Sequence, residues 1–437
     1  MEAPVWLWLE GATTPVRVGT LTRNDTTGGG SFLYDADYAK AGGRALDTDE
    51  LRHINARQPI PIPANGREGI PGRIADAGPD AWGRMVLAQD LGFVPNALEA
   101  LIHAADDGAG NLAVGDLSSK PKVDALDLED LAQALSRRQA GQPVRDEKLQ
   151  TMLSPDTALG GAKPKATVFR EGHQWIAKYP ERGDPANLPY FEAAALRMAG
   201  RLSIDSARAE VIPLPAGRSI LLVKRFDRGP NTPEGATRLG FASALTVMGA
   251  GGMQAFSSFR TYLYLAKKLK AWVRDALPGT LNQLWERIVF NALVGNGDDH
   301  PRNHGLLLEG IQWRLSPLFD VVPARYRLER LSLAMPYLRL ATGRETSLVT
   351  AQYLVQAAPA FGLDVETARS RLLAMATRTI DEWPDVLSEL KAPADVTHEA
   401  HTPLDWTRQI LTQATSLSAD DCRPIAVKGN RRWQWTP

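Results

Sequence analysis

Residues 295–320, GNGDDHPRNHGLLLEGIQWRLSPLFD, contain the pattern on which the predicted architecture rests. Asn303 follows Asp298 by five positions, and Asp320 comes after a segment typical of a short hairpin. This order suits ATP-dependent phosphoryl transfer, in which one aspartate orients the accepting hydroxyl while an asparagine and a second aspartate hold Mg²⁺. We therefore predict that Asp298 is the catalytic base and that Asn303 and Asp320 bind the metal.

Two alternatives concern the same stretch. Asp299 competes with Asp298 for the role of base, but only Asp298 has the five-residue offset to Asn303. His300 and His304 have the i, i+4 spacing of a zinc-binding helix. A proline at position 301 disfavours a regular helix there, and no glutamate follows His300, so the zinc interpretation is the weaker one.

Length and composition limit the class of protein. The 437 residues exceed what one ordinary core needs, so two or three packed units are expected. Fifty basic and fifty acidic side chains cancel, which gives this chain alone no electrostatic reason to bind nucleic acid or an anionic membrane tightly. The single cysteine, Cys422, fits a reducing cytoplasm and excludes a cysteine-ligated zinc cage. The apolar start, VWLWLE, is too short for a signal peptide, and we expect a cytoplasmic protein without a membrane partner.

The pattern of apolar residues predicts an α+β fold class with a strand-rich lobe before a helix-rich lobe, as in a two-lobed protein-kinase-like fold. Alternation from Val5 to about Tyr34 predicts an antiparallel meander, and helical patterns follow at Ala81–Phe93 and Ala97–Ala105. The predicted segments are an N-terminal α/β subdomain at 1–115, a linker with a helix at 116–156, a sheet with one helix at 157–229, a helical lobe at 230–395 and a tail without a clear fold signal at 396–437.

Candidate phosphate-binding residues lie in and before a predicted hairpin. ATVFR, a Glu171-Gly172 turn and HQWIAKYP predict two strands, with Lys178 on the second. There Lys178 is placed to contact the α- and β-phosphates, and Glu192 in the next helix is placed to pair with it. The preceding stretch LGGAKPK allows close backbone approach to a phosphate. Its candidate ATP-binding residues are Gly160, Gly161, Ala162, Lys163 and Lys165. A solvated lysine and an ordinary glycine turn remain the bland alternatives.

A further candidate segment, Val223 to Asp227, ends the second predicted hairpin. Its backbone groups are placed to bind an adenine edge, and Asp227 is placed to bind a ribose hydroxyl. The alternative is a plain connecting segment. The basic stretch KKLKAWVR at 267–274 is compatible with nucleic-acid contact, although such a helix face is more often simply solvated.

Several motifs together carry a resemblance to a known family. They are PDAWGR at 79–84, LGGAKPK at 159–165, IAKYP around Lys178, VKRFDR at 223–228, NGDDHPRNHG at 296–305 and LSPLFD at 315–320. With these motifs the chain resembles, from about Val5 to Leu390, the HipA family of serine/threonine kinases, which are the toxins of type II toxin–antitoxin systems.

The resemblance implies roles for individual residues. It implies that Lys178 binds the ATP phosphates, that Lys224 and Phe226 give hinge backbone contacts to adenine, and that Asp227 lies near the ribose. It also implies the same base and metal ligands as the spacing does, with ATP and Mg²⁺ as cofactors. The implied partners are a HipB-like helix-turn-helix antitoxin, operator DNA reached through that antitoxin, and a protein substrate such as an aminoacyl-tRNA synthetase, whose phosphorylation stops growth and promotes persistence.

One position departs from the family pattern. Members commonly have a serine directly before the glycine loop, and autophosphorylation of that serine ejects the loop and silences the kinase. Here the position is Ala158, which has no hydroxyl. Either Thr157 takes over the role of that serine, or regulation differs, or the chain is a variant that resists inactivation. We expect an active kinase without that particular switch.

Two other functions compete with the toxin kinase. A small-molecule kinase would use the same arrangement, since Asp-x4-Asn serves any accepting hydroxyl. A non-catalytic scaffold that binds antitoxin and DNA through a degenerate kinase fold is the other. The joint presence of Lys178, Asp298, Asn303 and Asp320 argues against degeneracy.

Overall fold

The computed structural model describes residues 1–64, 67–120, 165–179, 187–214, 219–249, 260–399 and 402–425. The chain forms two compact units, each assembled from separate stretches. Unit 1 comprises Met1–Pro189, Ala207–Ser257 and Gly305–Ser316, and unit 2 comprises Tyr190–Ser206, Ser258–His304 and Pro317–Pro437.

The strands of the described residues belong mainly to unit 1. They are β1 (Glu2–Leu7), β2 (Val16–Arg23), β3 (Gly30–Tyr34), β4 (Ile60–Ile62), β5 (Leu112–Val114), β6 (Lys165–Arg170), β7 (His173–Lys178), β8 (Ala209–Pro213), β9 (Ser219–Lys224), β10 (Arg228–Thr232), β11 (Gly235–Arg238), β12 (Gly240–Ser243), β13 (Gly305–Glu309), β14 (Gln312–Leu315), β15 (Leu338–Arg339) and β16 (Glu345–Thr346).

The helices are distributed over both units. They are α1 (Ala36–Lys40), α2 (Gly72–Asp76), α3 (Ala81–Leu91), α4 (Ala97–His103), α5 (Leu188–Arg201), α6 (Ala244–Val247), α7 (Tyr262–Val273), α8 (Leu277–Val294), α9 (Ala351–Ala357), α10 (Val365–Glu389), α11 (Ala394–Glu399) and α12 (Thr402–Ser416), with 3₁₀ turns at Arg274–Ala276 and Ala358–Phe361.

The first sheet of unit 1 is antiparallel, with the strand order β4-β3-β2-β1-β5. The predicted meander is therefore confirmed. Its inward side chains, among them Val5, Leu21 and Phe32, are fully buried. Ile74 of α2 and Leu98 of α4 join the same core, because one face of the sheet needs helices to cover it.

The second sheet of unit 1 has the order β6-β7-β9-β8, and all its neighbouring strands are antiparallel. Glu171 and Gly172 join β6 to β7 and have φ angles of 52° and 70°. Two consecutive positive φ angles are typical of the tight turn that matches strand twist. The antiparallel pairing of β6 with β7 and of β8 with β9 confirms both predicted hairpins of this sheet.

A third sheet, β12-β13-β14, completes unit 1 together with the β10-β11 hairpin. The predicted hairpin GLLLEG/IQWRLS is confirmed as β13 and β14, paired from Leu306 with Leu315 to Glu309 with Gln312. β13 begins directly after the segment that contains Asp298 and Asn303.

Unit 2 is built around α8. This helix buries Trp285, Ile288 and Phe290 completely, because its apolar residues surround almost the whole helix. α12 packs against the end of α8, where Trp406 Nε1 donates to the Ala292 carbonyl (2.6 Å) and Thr407 Oγ1 donates to the Leu293 carbonyl (2.9 Å). The tail, which gave no fold signal in the sequence, therefore contributes a core helix.

The sequence pattern after GLLLEG and IQWRLS predicts a return to helix up to about Leu390, and this prediction is wrong for its first part. After β14 the chain does not return to helix at once; residues 317–350 form loops and the short β15-β16 hairpin, and the next helix begins at Ala351. The backbone N–H of Leu333 donates to Ser347 O (2.9 Å) and that of Val349 donates to Leu331 O (2.9 Å). Hydrogen bonds between distant residues replace the local i to i−4 pattern that a helix requires.

Within the part of the chain that the structure describes, no helix is long and apolar enough to cross a membrane. The helix predicted inside 116–156 falls almost wholly on residues 121–164, outside the described residues. The five-segment division of the chain stays a prediction.

Candidate active site

The predicted catalytic loop occupies residues 295–304 of unit 2, directly after α8. Asp298 is exposed and Asn303 is buried, with 7% of its surface accessible. Asn303 Nδ2 donates to the main-chain carbonyl of Asp298 over 2.8 Å. This bond closes the loop on itself and brings the predicted base and the predicted metal ligand together.

The closing bond also orients Asn303 chemically. Its amide nitrogen is used by Asp298 O, so the carboxamide oxygen is the atom that Asn303 offers to a cation. Carboxamide and carboxylate oxygens are ligands that Mg²⁺ accepts. The donor types of Asn303 and Asp320 therefore fit Mg²⁺.

The start of the loop depends on Gly295 and on two hydrogen bonds between Asn296 and Asn291. Gly295 ends α8 with a φ of 73°, and a Cβ there would lie 2.7 Å from the Ala324 Cβ. Only glycine suits both the left-handed backbone and the close approach. Asn296 donates from its backbone to Asn291 O (2.9 Å) and from Nδ2 to Asn291 Oδ1 (3.0 Å), which fixes the direction in which the chain leaves the helix.

Asp320 lies in unit 2, like Asp298 and Asn303. Its φ is 58°, in the left-handed region that non-glycine residues rarely adopt. Residues held there cluster at functional sites. The chain just before it is fixed, because the Leu318 N–H donates to Asp205 O over 2.7 Å. The metal-binding role of Asp320 stays a prediction.

The structure distinguishes the two candidate bases. Asp299 is 1% exposed, and both its carboxylate oxygens accept protein hydrogen bonds: Oδ1 from the Ala334 N–H (2.7 Å) and Oδ2 from the Tyr262 hydroxyl. A carboxylate occupied in this way cannot reach an acceptor hydroxyl without breaking these bonds. Asp298, which is exposed, therefore remains the better candidate.

The histidines of the loop contribute in different ways. His304 is buried, and its Nε2 lies 2.9 Å from the Tyr262 hydroxyl. Burial, with the nearby charge of Arg287, lowers the pKa of His304 to about 3, so its imidazole is neutral at physiological pH. The loop is not helical, so His300 and His304 do not have the i, i+4 helix geometry on which the zinc interpretation depends.

Lys178 and Lys165 face each other across the β6-β7 hairpin of unit 1. Lys178 ends β7, and its register partner on β6 is Lys165. Directly opposed residues share one face of a sheet, with Cβ atoms about 4.5–5.5 Å apart. Asp80, which caps α3, forms an ion pair with Lys165. Two of the predicted phosphate-binding lysines therefore belong to one local surface, and their role stays a prediction.

Glu192, the predicted partner of Lys178, lies on α5 and is only 4% exposed. A glutamate in a surface helix would be solvated, and acidic side chains are almost never buried without a partner. The burial distinguishes Glu192 from an ordinary surface residue, and its pairing with Lys178 stays a prediction.

The predicted hinge begins at Lys224, the last residue of β9. Its backbone N–H donates to Arg208 O (2.8 Å), which leaves the carbonyl as its group for an adenine contact. The Phe226 ring lies 6.4 Å from the Phe241 ring, between centroids, so Phe226 packs on β12. Both adenine contacts stay predictions.

Asp227 is buried at the centre of an ion cluster in unit 1. Arg225 Nε donates to Oδ1 (3.0 Å), while Oδ2 accepts from Arg225 Nη2 (2.9 Å), Arg228 Nη1 (2.8 Å) and the Gly110 N–H (2.8 Å). Burial alone would raise the pKa of Asp227, but the attraction of both guanidiniums holds it well below its usual range. A ribose hydroxyl would have to compete with these donors, so the structure favours a structural role for Asp227.

The same arginines fix the loop 106–110. Arg225 Nη1 donates to Asp107 Oδ1 (2.6 Å), and Gly108 O accepts from Arg225 Nη2 (3.0 Å) and Arg228 Nη2 (2.7 Å). A Cβ on Gly108 would come within 1.8 Å of Ala77 O, so only glycine fits at this position of the loop. The hinge is thereby joined to the chain that leads into β5.

Sequence reasoning missed several of these residues. Arg225 and Arg228 stand in the motif VKRFDR without an assigned role, and Tyr262 is not among the predicted site residues. The glycine-containing acidic stretch DDGAGN at 106–111 was the available signal for the loop that the arginines hold. The predicted residues Gly160, Gly161, Ala162 and Lys163, together with Thr157 and Ala158, lie outside the described residues.

A solved structure has the same fold over nearly the whole chain. It is the complex of the HipA and HipB toxin–antitoxin system with its operator DNA from Shewanella oneidensis MR-1, in which one chain matches with a TM-score of 0.69. The match covers 97% of this chain and 100% of that chain at 18% sequence identity. This likeness confirms the predicted α+β, kinase-like fold class.

The family assignment comes from the sequence. The family described as HipA-like C-terminal domain matches residues 157–383, just over half of the 437 residues. The chain therefore belongs to the family of proteins with a HipA-like C-terminal domain, which confirms the resemblance seen in the motifs.

Two relatives come from Sinorhizobium fredii. The candidate kinase Y4dM is 27% identical over an alignment of 214 residues, and the match covers 41% of this chain and 49% of Y4dM. The candidate kinase Y4mE is 27% identical over 154 residues, which are 34% of each protein. The chain thus matches about half the length of the first relative and about a third of the second.

Proposed function

We propose that this protein is an ATP- and Mg²⁺-dependent serine/threonine protein kinase that acts as the toxin of a HipBA-type toxin–antitoxin system. The observation that carries the proposal is the closed loop of unit 2, in which the Asn303 amide binds Asp298 O and the Asp298 side chain is exposed. Family membership and the names of the relatives support kinase activity.

Asp298 is the group we assign to the accepting hydroxyl. As an exposed carboxylate on a loop fixed by its own carbonyl, it would accept the hydroxyl proton as the oxygen attacks the γ-phosphorus of ATP and the bond from that phosphorus to the bridging oxygen breaks, which releases ADP. Asn303 and Asp320 would hold Mg²⁺, which neutralises charge on the phosphates when it is bound. Lys178 and Lys165 would add positive charge beside the phosphates.

We also propose the partners. The Shewanella structure contains HipB and operator DNA, which supports a helix-turn-helix antitoxin that brings this chain to DNA. The zero net charge of the chain supports indirect rather than autonomous DNA binding. The acceptor would be a protein of translation such as an aminoacyl-tRNA synthetase, and its phosphorylation would arrest growth in the cytoplasm.

The test is transfer of labelled γ-phosphate from ATP into the proteins of a cell lysate. Asp298→Asn is expected to lower the rate by about 10²- to 10⁴-fold, the usual contribution of a general base. Asp381→Asn is the matched control, because it makes the same chemical change at an exposed position of α10 and should transfer like the unchanged protein.

Other results would favour the competing functions. Equal labelling by Asp298→Asn and the unchanged protein would remove Asp298 from its role. Label that stays in the acid-soluble fraction would indicate a small-molecule acceptor. Absence of transfer from all three proteins, with antitoxin binding retained, would favour the scaffold.

A further inference from the structure

A buried hydrogen-bonded cluster lies behind the catalytic loop in unit 2. Tyr262, the first residue of α7, is 0% exposed, and its hydroxyl binds both Asp299 Oδ2 and His304 Nε2. Asp299 and His304 are each 1% exposed. The two residues bracket the turn that contains His300 to Asn303, so one phenol oxygen holds both of its ends.

The cluster also connects the loop to the segment beyond Asp320. Asp299 Oδ1 accepts the Ala334 N–H (2.7 Å), and the Tyr262 N–H donates to Pro336 O (2.8 Å). The same side chain that ties the loop to α7 thus ties it to residues 334–336. Three separate pieces of chain converge on the Asp299 carboxyl and the Tyr262 hydroxyl.

The loop is therefore held on two sides. Within the loop, Asn303 Nδ2 donates to Asp298 O. Outside it, the Tyr262 hydroxyl binds Asp299 and His304 and so holds the backbone on either side of the turn. Asp298 and Asp299 are consecutive, so a movement of Asp299 moves the predicted base directly. A reacting group displaced by about 1 Å can lose on the order of 10²-fold in rate.

The groups of the cluster interact with one another through hydrogen bonds. Burial raises the pKa of Asp299 to about 7 and lowers that of His304 to about 3, and burial with the Asp299 charge raises the pKa of Tyr262 well above its usual value. Tyr262 has one hydroxyl hydrogen for two neighbours, so one of them must donate to its oxygen. Arg287 on α8 is the cation that faces the cluster.

We propose that Asp299 and Tyr262 are positioning residues for phosphoryl transfer, which hold the catalytic loop so that Asp298 meets the accepting hydroxyl. This inference rests on the proposed function. Neither residue touches the reacting atoms in this role. Because Asn303, a predicted metal ligand, lies in the same loop, their loss should lower kcat and raise KM for Mg-ATP together.

The kinetic test compares four variants of the full chain. Tyr262→Phe and Asp299→Ala should lower kcat about 10- to 100-fold and raise KM for Mg-ATP, because Asn303 moves with the loop. Asp299→Asn should stay within about threefold, because its amide donates to the Tyr262 oxygen and its carbonyl still accepts from Ala334. Tyr337→Phe is the control: this phenol is also fully buried and near enough to Asp299 to feel its charge, but its hydroxyl donates to Leu348 O (2.6 Å) rather than to the loop.

Hydrogen exchange of the same variants supplies a readout independent of activity. Tyr262→Phe and Asp299→Ala should speed exchange at residues 296–304 and 332–336, whereas Tyr337→Phe should leave residues 296–304 unchanged. If the unchanged protein transfers no phosphate, the proposed function fails, and exchange still decides whether the cluster holds the loop. The positioning role is refuted if Tyr262→Phe loses no more kcat than Tyr337→Phe, or if exchange in the loop is unaltered.

Discussion

Asp227 in unit 1 and Asp299 in unit 2 are both buried aspartates beside predicted ATP-site residues, yet their surroundings are opposite. Asp227 accepts from two guanidiniums and one backbone N–H. Asp299 accepts from one phenol and one backbone N–H, close to a neutral imidazole. The first is an ion cluster, and the second is a hydrogen-bonded hub around one carboxyl.

The difference teaches what each carboxyl does for its neighbourhood. Cations hold the pKa of Asp227 below its usual range, so the residue works as a permanent negative charge that keeps Arg225 and Arg228 in place. Burial raises the pKa of Asp299 to about 7, so this residue contributes mainly through the geometry of its hydrogen bonds. Removing the first should disturb charge balance, and removing the second should disturb the placement of a loop.

The largest expected effect is on stability. Asp227→Ala leaves the buried Arg228 without its carboxylate and Arg225 with Asp107 alone, and should cost about 3–5 kcal/mol of local unfolding free energy. Asp299→Ala leaves the Ala334 N–H without its acceptor, whereas the Tyr262 hydroxyl keeps His304 Nε2, and the cost should be about 1–3 kcal/mol. Exchange of the Gly110 amide for Asp227 and of the Ala334 amide for Asp299 measures each loss where it occurs. A larger loss of stability for Asp299→Ala than for Asp227→Ala would contradict the expectation that the ion cluster contributes more to stability.

Acid titration should separate the two residues by sign. The lowered pKa of Asp227 means that the unfolded chain binds more protons near pH 4, so its stabilisation exists above that pH and is lost as the pH falls. The pKa of Asp299 is raised from 3.8 to about 7, so the folded chain binds the extra proton and the stabilisation disappears as the pH rises through this range.

The measurement is the unfolding free energy against pH for the unchanged protein, Asp227→Asn and Asp299→Asn. The advantage of the unchanged protein over Asp227→Asn should shrink toward low pH, and its advantage over Asp299→Asn should shrink toward pH 7. His304 has the opposite slope to Asp299, because burial lowers its pKa from 6.5 to about 3, but it is present in both proteins of the second pair. Curves with the same sign for both pairs would contradict the comparison.

The sequence anticipated features that depend on local patterns. The Glu171-Gly172 turn and the alternation around it predicted the β6-β7 hairpin, because turn chemistry and strand period act over a few residues. The Asp-x4-Asn spacing predicted the loop that the bond from Asn303 to Asp298 O closes. Both signals are local in the sequence.

The features that the sequence did not reveal depend on distant partners. Tyr262 is separated from Asp299 by 37 positions, and Arg225 is separated from Asp107 by 118. Neither contact leaves a periodic trace, since a buried tyrosine in an apolar helix has the same pattern whether or not its hydroxyl binds a loop. For the same reason a structural Asp227 and a ribose-binding Asp227 are indistinguishable in the sequence.

The smallest effect is expected at the rim of the Asp227 cluster. Arg238 lies 3.5 Å from the Trp8 ring centroid and donates to Asp106 O and to Asp106 Oδ2, beside the loop that Arg225 and Arg228 hold. Arg238→Lys keeps the charge but loses the planar stacking, at about 0.5–1 kcal/mol in urea unfolding. Arg408→Lys, in the exposed pair with Asp405, should change almost nothing. If Arg238→Lys lost as much unfolding free energy as Asp227→Ala, Arg238 would hold the loop as strongly as Asp227 does. The central role given to Asp227 in unit 1 would then be wrong.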